Sequence, residues 1–127
     1  MALVGNAVIA GMFEHPAERR YSGPRLLMIE QWAELARGAL RDAGIDPREV
    51  DGIVCGDLRE SDMFVPATIA EYLGWRVSFA ERVDLGGAGP AGMVWRAAAA
   101  IELGLCETVV CAAPANRSSE TSAAATT

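Results

Sequence analysis

Two hydrophobic periods alternate along this chain, one short and continuous, the other helical. Leu3 to Ala10, with Val4, Val8 and Ile9, is an apolar run of strand length. Gly11 to Gly23 is a polar loop holding Pro16 and Arg19-Arg20. Ser22-Gly23-Pro24 then opens a helix, since proline suits a first helical turn. Leu27, Trp32, Leu35, Ala36, Ala39, Leu40 and Ala43 recur at helical spacing, and Gly44 supplies a left-handed stop. Asp46-Pro47-Arg48-Glu49 is a capped single turn, with Asp46 as N-cap and Glu49 reaching back. Asp51-Gly52 leads into a second strand, Ile53 to Cys55.

After a mixed loop, Gly56 to Val65, Pro66 opens a short helix over Ala67 to Leu73, stopped by Gly74. Trp75 to Val83 reads as a third strand. Gly86-Gly87-Ala88-Gly89-Pro90-Ala91-Gly92 follows and enters a helix that runs to about Leu103. That helix is built of small residues, Ala97 to Ala100 in a row, which predicts close neighbours and a place in the middle of the molecule. Thr108 to Ala113 is a fourth strand. The order βαβαβαβ predicts an α/β fold with a mostly parallel four-stranded sheet, helix-covered, with right-handed crossovers. Residues 1–114 form the predicted domain. Residues 115–127, rich in Ala, Ser and Thr, read as a tail or truncated linker.

Composition narrows the function. The net charge of −6, with no Lys/Arg stripe, excludes duplex nucleic acid as a partner. No run reaches the roughly 18 apolar residues of a membrane span. Three cysteines, Cys55, Cys106 and Cys111, lack CxxC spacing, which argues against disulfides and against a metal site. Cys55 and Cys111 fall in strand-like runs and read as small buried hydrophobes. The expected compartment is a reducing cytoplasm.

Candidate chemistry gathers at the glycine turn. Gly87, Gly89 and Gly92 satisfy G-x-G-x-x-G between a predicted strand and helix, the pattern of a dinucleotide phosphate turn. That pattern also wants an acid at the end of the following strand. Here that strand ends Val109-Val110-Cys111-Ala112-Ala113, without one. The glycines also serve close packing of strand, turn and helix, and this structural role stands beside the binding role.

Other segments carry a resemblance. Ala39 to Pro47 followed by Val50-Asp51-Gly52-Ile53-Val54, the opening Ala7-Val8-Ile9-Ala10-Gly11, and Ala97 to Gly104 followed by Glu107-Thr108-Val109-Val110 resemble the lipid-transfer or sterol-carrier-protein type of the thiolase-like superfamily. The resemblance covers the N-terminal half of that fold and nearly all of this chain. It implies a nucleophilic cysteine at the start of the buried helix, where N–H groups and the helix dipole stabilise a thiolate. Aligning Val83-Asp84-Leu85-Gly86-Gly87-Ala88-Gly89 on that motif puts Gly87 at the nucleophile. No catalytic residue is therefore assigned. Gly86, Gly87, Ala88 and Gly89, with Met63, are the candidate substrate-binding residues.

The resemblance implies a subunit or fragment that binds an acyl-CoA thioester as substrate, with no cofactor. Relatives without the cysteine include steroid side-chain aldolases, which break a carbon–carbon bond by retro-aldol chemistry and work with a small OB-fold partner. It also implies that a fifth strand and the second half of the fold lie elsewhere, that an exposed sheet edge needs covering, and that the third strand pairs with its copy in a homodimer. A non-catalytic interaction or scaffold subunit is the alternative reading; a dinucleotide-binding domain is a minor one. His15 is expected on the surface, the loop Asp57 to Asp62 solvated, and Trp32, Trp75 and Trp95 in packing roles; Met63-Phe64-Val65, apolar residues on a loop tip, can line a pocket or an interface.

Overall fold

A computed structural model describes residues 5–114. Three strands, β1 (Gly52–Cys55), β2 (Phe79–Arg82) and β3 (Val109–Ala112), form one sheet in the order β2-β1-β3. Both pairings are parallel, with Ile53 opposite Ala80 on one side and Val110 on the other. Three helices complete the fold: α1 (Met28–Ala43), α2 (Val65–Leu73) and α3 (Gly89–Glu102).

The two-residue strand period decides which helices meet which face. Ile53, Cys55, Val110 and Ala112 pack with Trp32, Ala36 and Leu40 of α1 and Ile69 of α2. Val54, Val109 and Cys111 point the opposite way, to Met93 and Ala97 of α3. All of β1 is buried because it is central and covered on both faces. Trp32 and Trp75 meet edge to face, 6.2 Å between ring centres, inside the α1/α2 layer. Gly44, Gly74 and Gly104 take the left-handed conformation at their helix ends, and Asp46 accepts from the Arg48 N–H as the capped turn predicts.

The α/β order and the parallel sheet are as expected; several details differ. Among the described residues the sheet has three strands, not four. Leu3 and Val4 lie outside the described residues, and residues 6–16 join no ladder. Side chains hold this segment instead: Glu102 accepts from the Asn6 and Ala7 N–H groups, Asp42 accepts from the Met12 N–H, and Gly11 sits tightly on α1. A strand requires a neighbouring backbone, and a cleft separates this one from β3.

Helix α1 starts at Met28 rather than near Pro24 because its donors are capped there. Glu30 accepts from the Leu27 N–H, and Glu60, from the loop after β1, accepts from the Met28 N–H at 2.5 Å. The third strand is shorter than expected, since Trp75 turns into the core below α1. Helix α3 is not in the middle of the described fold. It buries Gly89, Met93, Ala97 and Ala100 but exposes Val94 and Trp95. Trp95 is 57% exposed under the Arg96 guanidinium, so it is no core residue. His15 is largely covered and meets Glu34 at 3.0 Å, against the expected surface position. Of Met63-Phe64-Val65, Val65 turns inward as the first residue of α2.

Candidate functional site

The carboxyl ends of parallel strands are where an α/β sheet opens to ligands, because the chain leaves each strand there for a loop. All three strands deliver such an end to one shallow cleft of about 290 Å³. Gly56 and Asp57 come from the end of β1, Val83 and Asp84 from β2, Ala113 and Pro114 from β3. Gly86, Gly89 and Pro90 of the glycine turn close it, with Met93 behind them.

The turn has two parts. Gly86 takes φ +57°, the left-handed region that a side chain disfavours. Gly86–Ala88 then forms one 3-10 turn that feeds into α3. Within it the Ala88 N–H donates to the Leu85 carbonyl at 3.2 Å and the Gly89 N–H to the Gly86 carbonyl, and Pro90 has no N–H, so the Gly86 and Gly87 N–H groups are the donors left without an acceptor in the turn. At Gly87 the space beside the backbone is open, and an added Cβ meets nothing within 4 Å. At Gly92 an added Cβ would lie 2.5 Å from Leu85 Cδ1 and 3.2 Å from Val83 Cγ1, which shows how closely the strand end approaches the helix.

Gly86 and Gly89 line the cleft; Gly87 and Ala88 are exposed on the turn outside that lining. Met63 is 65% exposed on the β1–α2 loop and is not brought to the turn. Phe64 beside it holds φ +55°, a conformation uncommon for a bulky residue.

Charge around the cleft is mixed. Arg82 Nη2 lies 2.6 Å from Asp57 Oδ1 and 4.0 Å from Asp84 Oδ2, so one cation sits between two carboxylates. Two thiols lie on the strands themselves, Cys55 on β1 and Cys111 on β3, outside the cleft lining. Burial pushes Cys55 up to about 11, with Arg82 opposing and Asp57 reinforcing that shift; burial also takes Cys111 up to about 11. Both stay protonated at neutral pH, and Cys111 donates weakly to the Met93 carbonyl at 3.7 Å. Neither behaves as a nucleophile.

In the sequence Asp57, Arg82 and Asp84 look like ordinary charges beside the glycine turn. The available signal was positional: Asp57 and Asp84 each stand two residues beyond a strand's last residue.

The dinucleotide pattern fails here in a second way. The strand after the glycine turn, β3, pairs with β1 rather than beside β2. An acid at its end would not stand next to the turn's own strand, as ribose recognition requires.

These elements define an α/β fold related to that of aldolases. The chain is 36% identical over 110 residues to a steroid side-chain-cleaving aldolase of Thermomonospora curvata. That match covers 86% of this chain and 27% of the aldolase. Among solved structures, the chain is similar to one described as an Ltp2-ChsH2(DUF35) aldolase, with TM-score 0.62 and 29% identity over 82% of this chain and 28% of that one. The chain thus spans about a quarter of the length of each relative. No protein-family model matches it. Among the described residues no helix is long and apolar enough to cross a membrane.

Proposed function

We propose that this chain is the thioester-holding part of an acyl-CoA carbon–carbon lyase of the steroid side-chain aldolase type. One observation carries the reading: the Gly86 and Gly87 N–H groups, without an acceptor in the turn, stand at the sheet's carboxyl ends, with open space and no thiol at Gly87. Similarity to two aldolases supports this reaction class.

The local charge suits a carbonyl better than a phosphate. Asp57 and Asp84 oppose a dianion at this place, whereas a thioester oxygen needs only N–H donors. In retro-aldol cleavage of a β-hydroxyacyl-CoA, a base takes the hydroxyl proton. The Cα–Cβ bond breaks, a ketone or aldehyde leaves, and the electron pair moves onto the thioester as an enolate. Protonation at Cα then releases the shorter acyl-CoA. The turn's role is to hold the oxygen on which charge develops. The acid and base come from residues beyond this chain.

Two partnerships belong to the same proposal. One is a homodimer through the outer edge of β2, which has no strand partner among the described residues. The other is a heteromer with a small OB-fold chain. A reducing cytoplasm is the proposed setting, in keeping with three free thiols.

The test is acyl-CoA binding and cleavage by the assembly that contains this chain. Cleavage of a β-hydroxyacyl-CoA with a steroid side chain, lost when the turn is altered, supports the proposal. Failure of a complete assembly to bind or cleave any acyl-CoA refutes it. A non-catalytic scaffold subunit is the second reading. The apolar Val94 and Trp95 exposed on α3 favour it, and the same assay separates the two.

A further inference from the structure

The candidate cleft has a wall that no strand end supplies. Met28, the first residue of α1, lines it together with Gly56 and Asp57 of the β1–α2 loop. Helix and loop are distant in sequence, and a hydrogen bond joins them: Glu60 Oε1 accepts from the Met28 N–H at 2.5 Å.

The local sequence leaves that place to Glu60. Leu27, the residue before α1, has no polar side chain, and Glu30 is engaged with the Leu27 N–H. The Met28 N–H therefore takes a carboxylate from 32 residues away, at the helix end where negative charge is favoured.

The loop is shaped to deliver that carboxylate. Leu58 is anchored in the core, and its carbonyl accepts from the Ser61 N–H at 3.4 Å, so residues 58–61 form a tight turn that includes Glu60. Asp57, just before the turn, is held from the other side by Arg82 of β2 at 2.6 Å. Glu60 itself is exposed and does not line the cleft. It acts there through Met28 and through its own loop, which carries Gly56 and Asp57.

We infer that Glu60 is a positioning residue of the candidate site: by holding the start of α1 against the β1–α2 loop, it sets the opening that admits the acyl-CoA thioester. The inference rests on the thioester reading above. Without the bond, helix and loop part, and Met28 and Asp57 leave their places. The bound thioester then loses contacts in ground state and transition state alike, which raises KM and keeps kcat. A general loss of fold does the reverse. It lowers the active fraction, and with it the apparent kcat, at unchanged KM.

Met28 gives an independent handle on the same bond. Proline suits the first position of a helix, and Leu27, at φ −65° and ψ 152°, already has the extended backbone that proline demands of its predecessor. Met28→Pro thus removes the donor and keeps the helix. Met28→Ala keeps the donor and accounts for the lost side chain.

The assembly that contains this chain is assayed for cleavage of a β-hydroxyacyl-CoA, with KM and kcat read separately. Glu60→Ala should raise KM about fivefold and change kcat by less than about twofold. Glu60→Gln keeps an acceptor oxygen and should recover most of that loss. In the Met28→Ala background Glu60→Ala should again cost about fivefold in KM; in the Met28→Pro background it should cost less than about twofold. An unchanged KM in Glu60→Ala, a fall in kcat at constant KM, no recovery with glutamine, or an equal cost in the Met28→Pro background overturns the inference and leaves the thioester reading standing. An unaltered assembly that neither binds nor cleaves any acyl-CoA overturns both.

Discussion

Gly86 and Gly87 are adjacent, both glycine and both exposed, yet they should respond oppositely to alanine. At Gly86, φ is +57°, and a Cβ in the left-handed region costs roughly 1–2 kcal/mol through its clash with the carbonyl that follows. Space does not matter there, since nothing lies within 4 Å. At Gly87, φ is outside the left-handed region and the space is equally open. Alanine there stiffens the unfolded chain without straining the fold, for a change between zero and a gain of about 1 kcal/mol. For a chain of this size, about 1–2 kcal/mol corresponds to a fall of about 4–8 °C in Tm. Urea and thermal denaturation of the full-length Gly86→Ala and Gly87→Ala proteins, followed by circular dichroism, read the difference. Equal effects, or a larger loss at Gly87, would falsify the turn geometry.

Three further outcomes follow from burial and charge. Ile53→Ala, at the fully buried centre of β1, should destabilise by about 2–5 kcal/mol in urea denaturation; a loss under about 1 kcal/mol would contradict a two-sided core. Cys55 and Cys111 are raised from 9.0 to about 11, so the fold favours their neutral thiols. Their contribution is complete below about pH 9 and disappears as pH climbs through 11; a Cys55→Ala, Cys111→Ala protein should show a flatter decline between those limits. Gly87→Cys should place a thiol at the start of α3, with a pKa a few tenths to one unit below the usual value of about 8.5. Iodoacetamide labelling rates against pH measure it. A value at or above 8.5 would mean that Asp57 and Asp84 outweigh the helix dipole.

Local chemistry made much of this fold legible in the sequence. The helix of Trp32, Ala36 and Leu40 shows in its spacing, the stops at Gly44, Gly74 and Gly104 in their residue type, and the turn at Asp46 in its capping pattern. Each depends on residues within a few positions of one another. The ends of the elements were less legible because partners far along the chain set them. Helix α1 begins where Glu60 meets Met28, 32 residues away, and Trp75 leaves the strand pattern to pack on Trp32.

The candidate site divides in the same way. The sequence by itself determined the glycine turn and its place between strand and helix, because glycine's backbone freedom and lack of a side chain are properties of the residue. Only the tertiary structure decided that Gly86 and Gly89 face the cleft while Gly87 and Met63 do not, and that Arg82 stands between Asp57 and Asp84. It also decided that residues 6–16 join no ladder. Apolar pattern can qualify a segment as a strand, but pairing needs a second backbone within hydrogen-bonding distance, and here an open cleft lies between this segment and β3.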